Sequence, residues 1–385
     1  MTEPGRETNE RTYRVAIVQT VLSHYRVPFF EALSAENPCW HLEIVHSGRE
    51  NEHYRLRETE ALKETVVRRI QIPFLGYQLS FQVGALHRLG GSQLSIVILE
   101  GSFGILSNLF ILVLRKLRHL PTIYWVTGWD RPEVQGWKKG LRDVLIRCFA
   151  RQADAIVAYG TAASRYMVSH GVDPSRITVA QNTVDVESLA LDEMKWRAAA
   201  LDVKTRLGIG GKCVLYVGRV VPTKRLEDLI VAMRLVRQRI PNAELVVVGT
   251  GPELPKARAQ AGDGVHFVGE VIDGIEAYFA GADVFVMPGT GGLALNQAMA
   301  FGLPIVVTVS DGTHEDLVIP GENGLVAPLA DSNALAECIV QVLKDSRRQA
   351  SMGERSKSIV LQRASLKNMA VEFGRAVRQV LEAAR

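Results

Sequence analysis

Between residues 213 and 330 the chain repeats one pattern: a short apolar run that closes on glycine at the edge of a polar turn. The first phrase is VLYVGRVVPTKRLEDL, Val214–Leu229. The second is LVVVGTG, Leu245–Gly251. The third is FVMPGTGGLALNQAMAFGLPIVVTVSDGTHEDLVIPGENG, Phe285–Gly324. Runs that are apolar at every position read as strands buried on both faces. The first and third phrases continue into a helical pattern. Strand, glycine turn and helix in that order form a parallel αβ layer, which aims backbone N–H groups and basic side chains at a phosphate. Arg219 and Lys224, just after the first strand, are the natural anion clamp.

The first half alternates in the same way. Val15–Gln19, Leu42–His46, Ile96–Leu99, Thr122–Val126, Ala155–Ala158 and Ile177–Ala180 read as strands. Residues 24–33, 104–119, 137–152 and 161–170 read as helices. This predicts a doubly wound parallel sheet. Residues 1–11 are expected to be a disordered N-terminus, and 49–65 are charged and irregular, without an assignable element. The expected domains are 12–190 and 212–365, joined through a charged segment at 191–211. No repeat of solenoid period is present.

Composition excludes several classes. With 385 residues, 47% apolar, 22% charged and a net charge of +4, the chain is of ordinary globular type and long enough for two cores. The charge suits an anionic ligand or membrane surface and does not by itself indicate nucleic acid. The four cysteines, Cys39, Cys148, Cys213 and Cys338, form no C-x-x-C, which argues against zinc and a redox pair. Cys148 and Cys213 are expected to be buried reduced thiols, which predicts a cytoplasmic setting. The polar N-terminus has no apolar h-region. The apolar stretch Ile105–Leu114 is too short to span a bilayer. There is no D-x-D, no G-x-S-x-G and no complete phosphate loop at Gly208–Lys212. His41 and His46 have no carboxylate at ligand spacing, so no metal is expected.

The three phrases resemble the nucleotide-sugar half of the GT-B glycosyltransferases, in the large retaining group that carries a Glu-x7-Glu motif (glycosyltransferase family 4-like). The resemblance covers nearly the whole chain and is strongest in the C-terminal half. It implies two Rossmann-like doubly wound domains facing across a cleft. It also implies a last helix, 366–385, that crosses back to the first domain. Gly218, Arg219 and Lys224 match the family's strand-Gly-Arg-x4-Lys phrase, which holds the donor diphosphate, and Pro320–Val326 matches its PGENGLV-type phrase. The motif itself departs. Gln297 stands in place of the second glutamate, and Gly289 in place of the first. An amide can still hydrogen-bond ribose hydroxyls, whereas Gly289 supplies no carboxylate. The pattern reads as a variant donor site.

Residues expected at the donor are Gly218, Gly249, Gly251, Glu270, Val271, Gly291, Gly292, Leu293, Ala294 and Gln297. Gly291-Gly292-Leu293 opens a helix whose first N–H groups can receive the diphosphate. Glu270 and Val271 match a loop that touches the base. Arg219 and Lys224 would stabilise the charge that grows on the leaving diphosphate. On the acceptor or sugar side, His24, Tyr25 and Arg26 follow the first strand, where open αβ sheets bind ligands. His24 could contact the acceptor and Arg26 a phosphate. Thr127, in Thr127-Gly128-Trp129-Asp130, replaces the family's sugar-contacting histidine, leaving Asp130 or Glu100 to supply polar contacts. Asp130 and His24 join Arg219 and Lys224 as catalytic candidates. His314-Glu315 falls where relatives have Pro-Glu after a Gly-Gly-type loop; Glu315 reads as structural.

The chain is therefore read as a metal-independent retaining glycosyltransferase. Its donor would be a nucleotide-diphosphate sugar, and its acceptor a glycan or lipid-linked sugar. A nucleotide-sugar epimerase on the same fold and a catalytically degenerate partner subunit are the alternatives. LFILVLRKLRHL, Leu109–Leu120, carries Arg115, Lys116, Arg118 and His119, and Trp137-Lys138-Lys139 with Arg142 and Arg147 is a second basic stretch. Both suggest peripheral contact with anionic lipid on the inner membrane face.

Overall fold

A computed structural model of the chain describes residues 12–49, 56–74, 77–101, 105–127 and 137–384. Residues 1–11, Trp129 and Asp130, and the side chains of Lys138, Lys139 and Arg142 lie outside the description. The chain divides into two compact units. One comprises Met1–Tyr159, Ala163–Ala180 and Lys367–Arg385; the other comprises Gly160–Ala162 and Gln181–Leu366.

The first unit contains β1 (Tyr13–Val18), α1 (Val27–Glu36), β2 (Trp40–His46), β3 (Leu62–Val66), β4 (Arg69–Phe74), β5 (Tyr77–Gln82), α2 (Ala85–Leu89), β6 (Ile96–Glu100), α3 (Leu106–Leu117), β7 (Thr122–Val126), α4 (Trp137–Gln152), β8 (Ala155–Ala158), α5 (Thr161–Ser169) and β9 (Ile177–Val179). Seven strands form one parallel sheet in the order β3-β2-β1-β6-β7-β8-β9, with Val15 facing Leu42 on one side and Ile96 on the other. The order reverses between β1 and β6, so the crevice at their carboxyl ends is the ligand position of such a sheet.

β6, β7 and β8 are almost wholly apolar and buried, Glu100 and Thr122 aside, because helices cover both faces. Leu99, Tyr124, Val126 and Ile156 meet Ile111, Leu112, Phe149 and Met167 on one face. On the other face the Trp125 ring lies tilted at 5.6 Å from Phe29 of α1 and edge-to-face at 5.0 Å from Phe373. Each such aromatic, removed from water, contributes about 1.5–3 kcal/mol.

Sequence reasoning assigned nothing to β3 or to the antiparallel β4–β5 hairpin. β3, LKETV, lies at the sheet edge with Lys63 and Val66 in solvent, so no apolar run marks it. In the hairpin Ile70 and Ile72 are exposed, which obscures the usual alternation.

Arg115 is not one of the cations available to a membrane surface. Helical spacing places it on the stripe of Asn108, Ile111 and Leu112, and it is fully buried. Its guanidinium donates to the carbonyls of Leu89 (3.0 Å), Gly91 (3.2 Å), Leu94 (3.4 Å) and Pro121 (2.9 Å). Burial pushes its pKa down to about 10, opposed by Asp154. Lys116 pairs with Asp154 at 3.4 Å, and Arg118 donates to the Gly90 carbonyl. This basic run therefore mostly braces its own unit. Cys148, expected to be buried, is exposed, because it falls on the outer face of α4.

The second unit contains α6 (Val186–Leu191), α7 (Glu193–Leu207), β10 (Cys213–Val217), α8 (Leu226–Arg239), β11 (Glu244–Val248), α9 (Leu254–Gln260), β12 (Val265–Gly269), α10 (Glu276–Gly281), β13 (Val284–Met287), α11 (Ala294–Ala300), β14 (Ile305–Thr308), β15 (Gly324–Ala327), α12 (Ser332–Lys344) and α13 (Ser346–Arg363). The last helix, α14 (Leu366–Ala383), carries Phe373 and clusters with the first unit from Lys367 onward. The segment 191–211, read as a junction, is largely the helix α7 and belongs to the second unit.

Six strands form a parallel sheet ordered β12-β11-β10-β13-β14-β15. Its core joins Val214, Val247 and Val286 to Leu229, Met233 and Ile339. Asp331 and Asp345 start α12 and α13 by accepting the backbone N–H groups of Ala334 and Arg347. Each such cap contributes about 1 kcal/mol. The strand order reverses between β10 and β13, and this reversal positions the site described next.

Candidate functional site

Three loops follow the carboxyl ends of β10, β13 and β14, and hydrogen bonds knit them together. The first, 218–225, runs on beside the end of β11: Gly218 N–H donates to Val248 O (3.0 Å) and Val220 N–H to Thr250 O (2.9 Å). Gly249 makes this approach possible. It has φ +135°, and a Cβ there would collide with the Gly218 carbonyl. The loop closes in a 3-10 turn, Pro222–Lys224, and passes into α8 through Arg225, whose φ of 52° is left-handed. Asp228 holds Arg225 at 2.5 Å.

The second loop, 288–293, packs against that turn, and Thr290 N–H donates to Thr223 O at 2.9 Å. The Lys224 ammonium donates to the carbonyls of Thr290 (2.8 Å) and Gly291. The third loop braces the second. Thr308 Oγ1 donates to Pro288 O (2.8 Å), Ser310 Oγ to Gly289 O (2.9 Å), and Gly291 N–H donates to Asp311 Oδ2 (2.9 Å). Lys224 lies just beyond the strand end. It is half-buried, and burial depresses its pKa; Arg219 lowers it further and Asp311 opposes both. Arg219 is exposed.

Gly289 shows why the first motif position is empty. A Cβ there would fall 2.7 Å from the Lys224 carbonyl carbon and closer still to Thr223 O. The close fit of the two loops excludes any side chain. Gln297 is half-buried on α11, and Leu293 and Ala294 lie at the start of that helix, where N–H groups have no intrahelical acceptor. Gly291 differs from expectation: Asp311 takes its N–H. Gly251 lies just beyond the end of β11, while Glu270 (exposed) and Val271 (half-buried) follow β12.

In the first unit His24 is exposed and Tyr25 half-buried, their rings 5.9 Å apart. Arg26, expected to meet a phosphate, is only 4% exposed. Its guanidinium lies 4.2 Å over Trp125 and 5.1 Å from the Tyr159 ring, and it donates to the Tyr159 hydroxyl. Burial works against its charge, but Tyr159, Tyr25 and Glu100 more than offset this, so the pKa is raised. Arg26 is thus a cation stacked among aromatic rings that anchors the loop after β1. Glu100, expected to face the sugar, accepts from Thr20 N–H (2.6 Å) and Thr20 Oγ1 (2.8 Å), tying the ends of β6 and β1 together. Thr127 is exposed at the end of β7.

The residues that sequence reasoning missed are Tyr159 and Asp311. Asp311 carried a usable signal, being a carboxylate just beyond a buried strand in the same crevice. Among the described residues, no cluster of three His, Cys, Asp or Glu could hold a metal, and no helix is long and apolar enough to cross a membrane.

Residues 8–183 match the model of the glycosyl transferase 4-like domain, and residues 211–345 match that of glycosyl transferases group 1. Between them the matches span most of the chain, which belongs to this family of GT-B glycosyltransferases.

Among its relatives is a GDP-mannose-dependent alpha-(1-6)-phosphatidylinositol monomannoside mannosyltransferase of Mycolicibacterium smegmatis, 35% identical over 39% of this chain and 44% of that one. Its counterpart in Mycobacterium tuberculosis is 31% identical over 51% of each chain. The chain thus spans about half the length of these relatives. Among solved structures, Anabaena Alr3699/HepE with UDP and glucose has a TM-score of 0.74 at 16% identity, covering 96% of this chain and 100% of that one. Sucrose-phosphate synthase of Thermosynechococcus elongatus has a TM-score of 0.74 at 19% identity, with the same coverage. These likenesses establish the GT-B fold of two Rossmann-like parallel-sheet units.

Proposed function

We propose that the chain is a glycosyltransferase that moves a sugar from a nucleotide-diphosphate sugar to a glycan or lipid-linked sugar, with retention of configuration and without a metal. The observation that carries this reading is the Lys224 ammonium, fixed on the 288–293 loop at the strand-order reversal, with Arg219 on the same turn. Two cations and the N–H groups that open α11 are what a departing diphosphate needs as its negative charge grows. The names of the relatives make GDP-mannose the first donor to test and a phosphoinositide mannoside the first acceptor. The HepE complex makes UDP-glucose the second donor.

The test is calorimetric titration of the full chain with GDP, UDP, GDP-mannose and UDP-glucose, followed by a transfer assay on the donor that binds. Binding of one nucleotide class with turnover supports the reading. Binding without transfer across acceptors would move it to a partner subunit, and no binding at all would remove it.

Gln297 is proposed to meet the ribose. Gln297→Ala then weakens nucleotide binding by about tenfold, the worth of a lost hydrogen bond in a half-buried site, and Gln297→Glu retains it. Wild-type affinity in both variants reduces Gln297 to a helix residue.

Peripheral membrane contact at the inner face of a cytoplasmic setting is also proposed. It now rests on α3's outer stripe: Phe110, Val113 and Leu117 are 52%, 43% and 75% exposed. Vesicles of anionic lipid should sediment the protein at low salt, and Leu117→Ser with Phe110→Ser should reduce the bound fraction several-fold. Indifference of the wild type to anionic vesicles would point to a soluble acceptor.

A further inference from the structure

We propose that Asp311 is a positioning residue of the donor site, holding the 288–293 loop closed over Lys224 and supplying the local negative charge that the chain lacks at Gly289 and Gln297. The proposal rests on the donor-binding reading above and concerns a residue outside both motif positions.

The geometry is specific. Oδ2 accepts from Gly291 N–H at 2.9 Å, and Oδ1 accepts from Thr313 N–H at 3.1 Å. One carboxylate thus fixes its own loop and the glycine loop opposite. Gly291 is grasped from both sides, since Asp311 takes its N–H and Lys224 its carbonyl. Neither partner is exhausted. An ammonium has three N–H groups and Lys224 spends two; Asp311 Oδ1 also lies 3.5 Å from the Ser310 hydroxyl, while Oδ2 keeps a further lone pair. A ligand entering beside the loop would meet one remaining N–H of Lys224 and the remaining acceptor of Asp311 Oδ2. The first suits a phosphate oxygen and the second a sugar hydroxyl.

The electrostatics agree with the geometry. The charged groups facing Lys224 are Arg219 from the loop after β10 and Asp311 from the loop after β14. Burial and Arg219 favour the neutral amine, and Asp311 favours the ammonium. His314, which also senses Asp311, is buried and has its pKa lowered by that burial, so its neutral form is favoured. Of these groups Asp311 is the one that keeps Lys224 protonated as pH rises. Without it Lys224 loses its proton at lower pH, and the alkaline limb of any process that needs the cation moves down.

Three readouts on the full chain test this, in wild type, Asp311→Ala and Asp311→Asn. The first is hydrogen exchange at the Gly291 amide. It should speed up by about tenfold or more in the alanine variant and stay near wild type in the asparagine variant, whose side-chain oxygen still accepts. The second is the pH midpoint for acetylation of Lys224 by acetic anhydride, followed by mass spectrometry. It should move to lower pH in both variants. The third is kinetics with the donor that binds. KM should rise by about tenfold in the alanine variant, and in the asparagine variant mainly the alkaline limb of kcat/KM should move.

Unchanged Gly291 exchange in the alanine variant, or an unchanged labelling midpoint in both variants, overturns the proposal. If the wild type binds no nucleotide, the donor reading falls, while exchange and labelling still decide the role of Asp311.

Discussion

Lys224→Ala lowers kcat/KM by about 100-fold or more while the protein stays folded. Two losses add. The substitution removes a charge-assisted hydrogen bond to the diphosphate, worth about 1.5–3 kcal/mol, and every 1.4 kcal/mol or so is tenfold in rate. It also releases the carbonyls of Thr290 and Gly291, so the loop that lines the donor loses one of its two clamps. Lys224→Arg does not rescue, because a planar fork cannot reproduce a compact ammonium seated on two adjacent carbonyls. Steady-state kinetics with a circular-dichroism melt on each variant checks this. A folded alanine variant with wild-type kcat/KM would take Lys224 out of the reaction.

Gly289→Glu, which restores the first motif glutamate, makes the protein worse. Its Cβ would overlap the Thr223 carbonyl, so the 222–224 turn and the 288–293 loop must part. Separating them breaks the Thr290–Thr223 bond and strains the seat of Lys224. Overpacking of this kind costs about 1–3 kcal/mol and occasionally more. Because the obstacle is main chain, the upper end is expected, near 3 kcal/mol, with activity falling alongside stability. Combining it with Gln297→Glu recovers neither. Urea unfolding of the single and double variants measures the loss. Wild-type stability together with increased transfer would mean that the loops are not joined as described.

The strands were legible where burial made them continuous. Val214–Val217, Leu245–Val248 and Val284–Met287 have no polar residue to confuse the period, and the glycines after them marked the crevice. β3 was not legible, because an edge strand in solvent carries charges where a buried one carries valine, and the β4–β5 hairpin was not, because Ile70 and Ile72 face solvent. Charge also misled at Arg115 and Arg26. A sequence shows a cation, and only packing shows that its partners are carbonyls or rings. The donor phrases disclosed Arg219 and Lys224; the place of Asp311 after a buried strand was readable, but its partner was not, since its hydrogen bond to Gly291 spans 20 residues.

Arg115 has a consequence for rebuilding the first unit. Its contacts are Leu89 at the end of α2, Gly91 and Leu94 on the way into β6, and Pro121 and Thr122 at the start of β7, all at the amino ends of β6 and β7. One side chain thus locks the floor of the sheet, the end opposite the Thr20–Glu100 tie. Segments transplanted into the mouth from another chain, to change what it accepts, would be received by a platform braced from its far end, provided that Thr20 and Glu100 are kept.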